Sequence, residues 1–206
     1  REERLVRRRA IGAQMIILVL VLLAGCGRDS GGGQGAEKLA LEIRTEYIGM
    51  TALSAGLEVT ADYGERVYTY GMALAWDQTE GTILTLTAPE EVAGITVRIG
   101  DEDTALEYDG VRLETGPLSE EGFSPVDAVP ALLKQVREGF IAESCTEQLG
   151  EQDALRVCYR APEAQPGTGA ETTVWFDTAT HALLRGEMAV DGFTVLQCVF
   201  SDFQMA

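Results

Sequence analysis

Val67-Tyr68-Thr69-Tyr70-Gly71-Met72-Ala73-Leu74-Ala75-Trp76 alternates without a break. Tyr68, Tyr70, Met72, Leu74 and Trp76 fall on one face, and small or modest side chains fall on the other. A period of two over ten residues predicts a strand with one face to bury. The neighbours repeat the pattern. Upstream, Leu57, Val59, Ala61 and Tyr63 alternate with polar residues before a turn at Gly64-Glu65-Arg66. Downstream, residues 78–81 turn the chain into a strand over 82–88, which Pro89 stops because it cannot continue a ladder. Residues 95–99 predict a fourth strand. Residues 105–108 and 111–114 predict a hairpin about Asp109-Gly110, a dipeptide suited to a type I′ turn.

Helical spacing flanks and interrupts these strands. Ala36, Leu39, Ala40, Ile43, Tyr47 and Met50 share one helix face, with Lys38 and Glu42 as an exposed i, i+4 pair. Ser124-Pro125-Val126-Asp127 reads as a helix start. Because Pro130 would interrupt a long helix, a short turn followed by a helix over 130–138 is expected. Leu132, Leu133 and Val136 would be its buried stripe, and Gly139 its left-handed C-terminal cap. Strands resume over 140–148, 154–160, 172–177, 183–190 and 193–203, the last two joined by Asp191-Gly192. The tally predicts an α+β fold, mainly β. About 11 antiparallel strands form a curled sheet or open barrel. An N-terminal helix and a helical insertion cover its concave face.

In the hairpin about Gly150, pairing Leu149 with Ala154 would set Glu147 against Arg156, Cys145 against Cys158 and Glu143 against Arg160. A Cys145–Cys158 disulfide is one reading. Three reduced thiols, counting Cys198, is the other.

The chain before this domain reads as an address. Arg1, Arg4, Arg7, Arg8 and Arg9 make a basic start, and residues 11–23 form an apolar run too short to span a bilayer as a helix. Leu23-Ala24-Gly25-Cys26 resembles the lipobox of bacterial lipoprotein signal peptides. That resemblance implies cleavage before Cys26 and a diacylglycerol on its thiol. Residues 1–25 are then a signal peptide, 26–35 the lipidated Cys and a Gly-rich tether, and 36–206 one domain. An uncleaved anchor and an unmodified Cys26 are the alternatives, and either leaves the domain outside the cytoplasm. Cleavage removes five arginines and two glutamates, so the formal charge of −17 becomes −20. Such a charge excludes nucleic acid as a partner and electrostatic docking on anionic lipid.

The order of helix, six strands, helical insertion and further strands resembles the LolA/LolB-like fold of lipoprotein carriers. So does Val174-Trp175-Phe176-Asp177-Thr178-Ala179-Thr180 with Leu184-Arg185-Gly186-Glu187, where an Asp and a Thr shape a turn. Ala61-Asp62-Tyr63-Gly64-Glu65-Arg66-Val67-Tyr68 and Ser124-Pro125-Val126-Asp127 are similar to GerS-type spore-germination lipoproteins of Firmicutes. The resemblance implies an incomplete barrel with an apolar cavity for acyl chains. A lipobox within the chain favours a tethered role over a shuttling one.

No catalytic set accompanies this. His181 is the single His and falls in a turn, without the partners of a triad or a zinc site. Asp101-Glu102-Asp103 reads as a solvated turn. No metal, cofactor or nucleotide motif stands out, and an enzyme is not expected. Two readings of the stripe at Tyr68, Tyr70, Met72, Leu74 and Trp76 stand side by side: core beneath the N-terminal helix, or the lining of a ligand pocket. The expected function is a lipid-anchored protein on the extracytoplasmic face of the cell membrane that binds a lipid or acyl chain. The alternative is an interaction module supporting an envelope- or spore-cortex-modifying enzyme during germination.

Overall fold

The computed structural model describes residues 30–100, 104–115 and 123–206. The expected signal segment (residues 1–25), Cys26 and Asp101-Glu102-Asp103, expected as a turn, lie outside the described residues. Arg1–Gly32 and Gly33–Ala206 are separate compact units, and the fold described is that of the second. Among the described residues no helix is long and apolar enough to cross a membrane.

Helix α1 (Ser30–Gly49) is followed by β1 (Ala52–Asp62), β2 (Val67–Asp77), β3 (Gly81–Ala88), β4 (Thr96–Ile99), β5 (Thr104–Tyr108) and β6 (Val111–Glu114). Helix α2 (Ala128–Glu138) then precedes β7 (Ile141–Leu149), β8 (Gln152–Tyr159), β9 (Ala170–Asp177), β10 (Leu183–Val190) and β11 (Phe193–Met205). All eleven strands form one curled sheet in the order β6-β5-β4-β3-β2-β1-β11-β10-β9-β8-β7. Two meanders are thus joined through the β1–β11 pair. The sheet does not close, and β6 and β7 are its edges. Asp109-Gly110 and Asp191-Gly192 both carry positive φ at each position, as type I′ turns require.

Both helices lie on one face. α1 buries Ala36, Ala40, Ile43 and Tyr47, and α2 buries Ala128, Val129, Leu132, Leu133 and Val136. Beneath them sit Val59, Leu155, Val157, Val174, Phe176, Leu196 and Cys198. α2 approaches the sheet closely at Gly186: a Cβ there would stand 2.6 Å from Leu132 Cδ1. The Tyr47 ring meets Phe176 edge-on at 5.5 Å.

Four details depart from expectation. α1 opens at Ser30 rather than Ala36; buried Ala36, Ala40 and Ile43 pin a helix, and each further residue adds one hydrogen bond to it. α2 opens at Ala128, so Pro130 lies in its first turn, where no N–H is needed. Gly139 is extended (φ −64°, ψ 152°) and not left-handed. Its requirement is space, because a Cβ would meet Gln135 O at 2.6 Å. Finally, the β7–β8 hairpin turns through two residues, Gly150 and Glu151, so its register is tighter by two: Leu149 pairs with Gln152, Cys145 with Arg156, and Glu143 with Cys158. A shift of two leaves every side chain on its face and turns the expected direct pairs into diagonal ones. Glu143–Arg160 (2.6 Å) and Glu147–Arg156 (3.4 Å) persist as ion pairs in this way.

Candidate functional site

The aromatic stripe of β2 does not line one cavity; the helix cover divides it. Met72 and Leu74 are 2% and 3% exposed and belong to the closed core. Tyr68 and Tyr70 project beyond the end of β3, whose last residue Ala88 pairs with Gly71. Their rings stack at 6.4 Å, and Tyr63 stands 6.3 Å from Tyr68. The Tyr63 hydroxyl donates to Phe123 O at 3.1 Å. Trp76, at the other end of β2, lines a cleft of ≈ 290 Å³ with Ile48, Met50, Gln78, Arg137 and Glu138. Arg137 stacks over its ring at 4.3 Å.

Two arginines join the helices reciprocally. Arg44 of α1 donates through Nε to Val136 O (3.0 Å) and through Nη2 to Gly139 O (2.6 Å), at the C-terminal end of α2. Arg137 of α2 donates through Nε to Tyr47 O (3.0 Å), at the C-terminal end of α1. Each guanidinium satisfies carbonyls that a helix end leaves without an internal donor, and brings positive charge to the negative end of a dipole.

A larger cleft, ≈ 440 Å³, opens between α2 and strands β8 to β10. Phe123, Phe140, Tyr159, Ala161, Pro162 and Met188 give it apolar walls, and Lys134 and Arg160 also line it. Arg160 holds Glu143 at 2.6 Å and Glu171 at 3.1 Å, whereas Lys134 has no carboxylate partner among the described residues. Burial pushes the Tyr159 phenol up to about 12, opposed by Arg44, whose guanidinium lies 5.6 Å from the ring centre. Tyr159 is therefore an uncharged part of the wall at neutral pH. Phe140, Met188 and Lys134 lie far apart in sequence, and no periodicity links them. The one local signal is Phe140, an exposed aromatic directly after the glycine that ends α2. A third depression, ≈ 460 Å³, has Leu39 as its only wholly apolar wall among Thr146, Glu147, Gln148, Asp153 and Thr178.

In this structure Cys145 and Cys158 are not bonded to each other, and the tighter register places the two residues diagonally. Cys145, Cys158 and Cys198 are free thiols. Burial raises the Cys158 thiol and pushes Cys198 up to about 12, so neither is a reactive thiolate at neutral pH. His181 sits in the β9–β10 turn at φ +59°, with Nδ1 2.8 Å from Glu46 of α1. Its backbone carbonyl accepts from the Tyr47 hydroxyl at 3.0 Å. The site thus ties a turn to a helix. Asp177 shapes that turn by accepting backbone N–H groups from Ala179 (2.9 Å) and Thr180 (2.7 Å). Among the described residues no three His, Cys, Asp or Glu side chains group as metal ligands.

No family model matches this sequence. No curated protein matches it either. Solved structures do resemble the fold. An uncharacterized conserved protein from Thermus thermophilus aligns with a TM-score of 0.50 at 12% identity, over 81% of this chain and 87% of its own. A LolA superfamily protein from Nitrosomonas europaea aligns at 0.38 and 11% identity, over 86% and 94%. A chain of the Clostridioides difficile complex between the CwlD amidase and the GerS lipoprotein aligns at 0.40 and 12% identity, over 82% and 94%.

Proposed function

We infer that this protein is a non-catalytic, lipid-anchored binding domain on the extracytoplasmic face of a membrane, holding a lipid or acyl chain in the cleft beside α2. The carrying observation is the ≈ 440 Å³ cleft with apolar walls and Lys134, which has no carboxylate partner among the described residues, in its lining. Its volume lies in the range of small-ligand sites, and the arrangement suits an apolar chain below an anionic or polar head. Met188 adds an adaptable wall. The anchor rests on the lipobox at Cys26, and a diacylated Cys would supply the membrane affinity that a charge near −20 opposes.

Native mass spectrometry of the full chain, gently extracted from its host, tests the ligand. Protein carrying one lipid is expected, with roughly tenfold less in Phe140→Ser, whose exposed ring leaves the core untouched. Lipid-free wild type would overturn the reading. For the anchor, Cys26→Ala is expected to leave the membrane fraction or remain unprocessed; a processed variant still held at the membrane would overturn it.

One observation favours a second reading, a module that binds an envelope or cortex enzyme. Tyr63, Tyr68 and Tyr70 form an open ladder at the end of β2, and tyrosine is the residue type enriched in protein interfaces. A stoichiometric protein recovered without lipid, and lost in Tyr68→Ala, would replace the first reading with this one.

A further inference from the structure

The cleft at Trp76 holds two opposite charges that do not pair. Arg137 and Glu138 are the last residues of α2, and both line it with Ile48, Met50, Trp76 and Gln78. It shares no residue with the cleft beside Lys134. None of the six residues adjoins an undescribed segment of the chain.

The cation is fixed in place but not satisfied. Nε of Arg137 is committed to Tyr47 O, and the guanidinium rests over the Trp76 ring. A guanidinium has five N–H donors, so four remain on Nη1 and Nη2. Among the described residues these four meet no acceptor. Burial pulls the Arg137 guanidinium down from its ordinary value, against the opposite pull of Glu138, so part of its water is already gone. Glu138 forms no ion pair with Arg137 or with any other described residue. Consecutive helix residues point roughly 100° apart, which keeps the two charges from closing on each other.

We propose that this cleft binds a free α-amino acid with an apolar side chain. Its carboxylate takes the Nη donors of Arg137, its ammonium meets Glu138, and its side chain packs against Ile48 and the edge of Trp76. The planar fork of a guanidinium suits a carboxylate. A simple anion is opposed by Glu138 nearby and, at longer range, by a chain of formal charge −17. A simple cation is opposed by Arg137. A zwitterion escapes both penalties, because it carries no net charge and bears its two poles on one carbon. Ile48 is 60% exposed, apolar surface that α1 leaves outside the core. The Gln78 carboxamide adds a donor and an acceptor. A volume of ≈ 290 Å³ is about the lower limit for small-molecule sites and fits a ligand of this size.

Calorimetric titration of the full chain with three probes tests the assignment. L-Leucine carries both charges, L-leucinamide only the ammonium, and N-acetyl-L-leucine only the carboxylate, all on the same side chain. L-Leucine is expected to bind once per chain. Each derivative is expected to bind roughly tenfold more weakly or worse, the factor carried by one charged hydrogen bond. Glu138→Gln assigns the ammonium contact. Glu138 is exposed and makes no hydrogen bond through its side chain, so the fold does not depend on it. The variant is expected to weaken L-leucine roughly tenfold and to bind N-acetyl-L-leucine no more weakly than wild type does. The proposal is overturned if L-leucine does not bind, if either derivative matches it, or if Glu138→Gln leaves its affinity unchanged.

Discussion

The two ends of the sheet carry the same alternation and meet different fates. In β8 to β11, the residues on the helix-bearing face (Leu155, Val157, Val174, Phe176, Leu196) are closed over by α1 and α2. In β5 and β6, the same face carries Leu106, Tyr108, Val111 and Leu113, and exposure rises toward the edge. Strand chemistry does not distinguish them, since both are apolar at every second position. What separates core from surface is the reach of two helices. α2, 11 residues long, spans about 16 Å at 1.5 Å per residue. At about 4.8 Å between strands, that length covers three or four strands of an 11-stranded sheet. An apolar row that runs beyond that reach ends exposed.

The largest expected contrast is between Leu132 and Leu113. Leu132 is fully buried over Gly186, and Leu132→Ala is expected to cost about 2–5 kcal/mol in chemical denaturation. Leu113→Ala removes the same atoms from an exposed position and is expected to cost under about 0.5 kcal/mol. Equal losses would mean that the β5–β6 end is closed like the other. A smaller effect sharpens where the covered region is tightest. Gly186→Ala puts a methyl 2.6 Å from Leu132 Cδ1, in a side chain with no room to retreat, and is expected to cost about 1–3 kcal/mol by overpacking. No loss of unfolding free energy would show that α2 can lift from the sheet.

The strands were legible because period two, turn dipeptides and Pro89 are local signals. Asp109-Gly110 and Asp191-Gly192 formed the turns their chemistry implies. The register of the hairpin at Gly150 was not, because Gly-Glu carries no strong turn signature, and charge pairing is satisfied nearly as well on the diagonal as directly opposite. The stripe of β2 illustrates the deeper limit. Tyr68, Met72 and Trp76 are equivalent by pattern, yet one is an exposed ladder, one is core and one lines a cleft under Arg137. Their fates depend on where β3 stops and where α2 lies, and neither is written in the strand itself. The cleft lined by Phe140, Lys134 and Met188 was invisible for the same reason.

The smallest effect tests whether the two ends also differ in their turns. Asp77 in the β2–β3 turn and Asp177 in the β9–β10 turn do the same work. Asp77 accepts from the Thr79 N–H at 2.8 Å and from its hydroxyl at 2.5 Å, and Asp177 accepts from the N–H groups of Thr180 and Ala179. These hydrogen bonds hold both carboxyls below the usual carboxylate range. Only the Asp177 turn is tied to a helix, through His181, Glu46 and Tyr47. A carboxylate whose folded pKa is depressed contributes stability above its unfolded value, near 3.9, and loses it as pH falls through the folded value. Asp177→Asn is therefore expected to cost up to about 1 kcal/mol at pH 7, a modest figure because the turn is open to water. The gap from wild type should stay constant down to about pH 5 and close below about pH 4. A gap that widens on acidification would mean that the charge opposes folding there. Loosening the Asp177 turn should also free the C-terminal end of α1, read as faster hydrogen exchange at Tyr47 to Gly49. Asp77→Asn should leave that exchange unchanged, and equal acceleration in both variants would erase the distinction between the helix-covered end of the sheet and the open one.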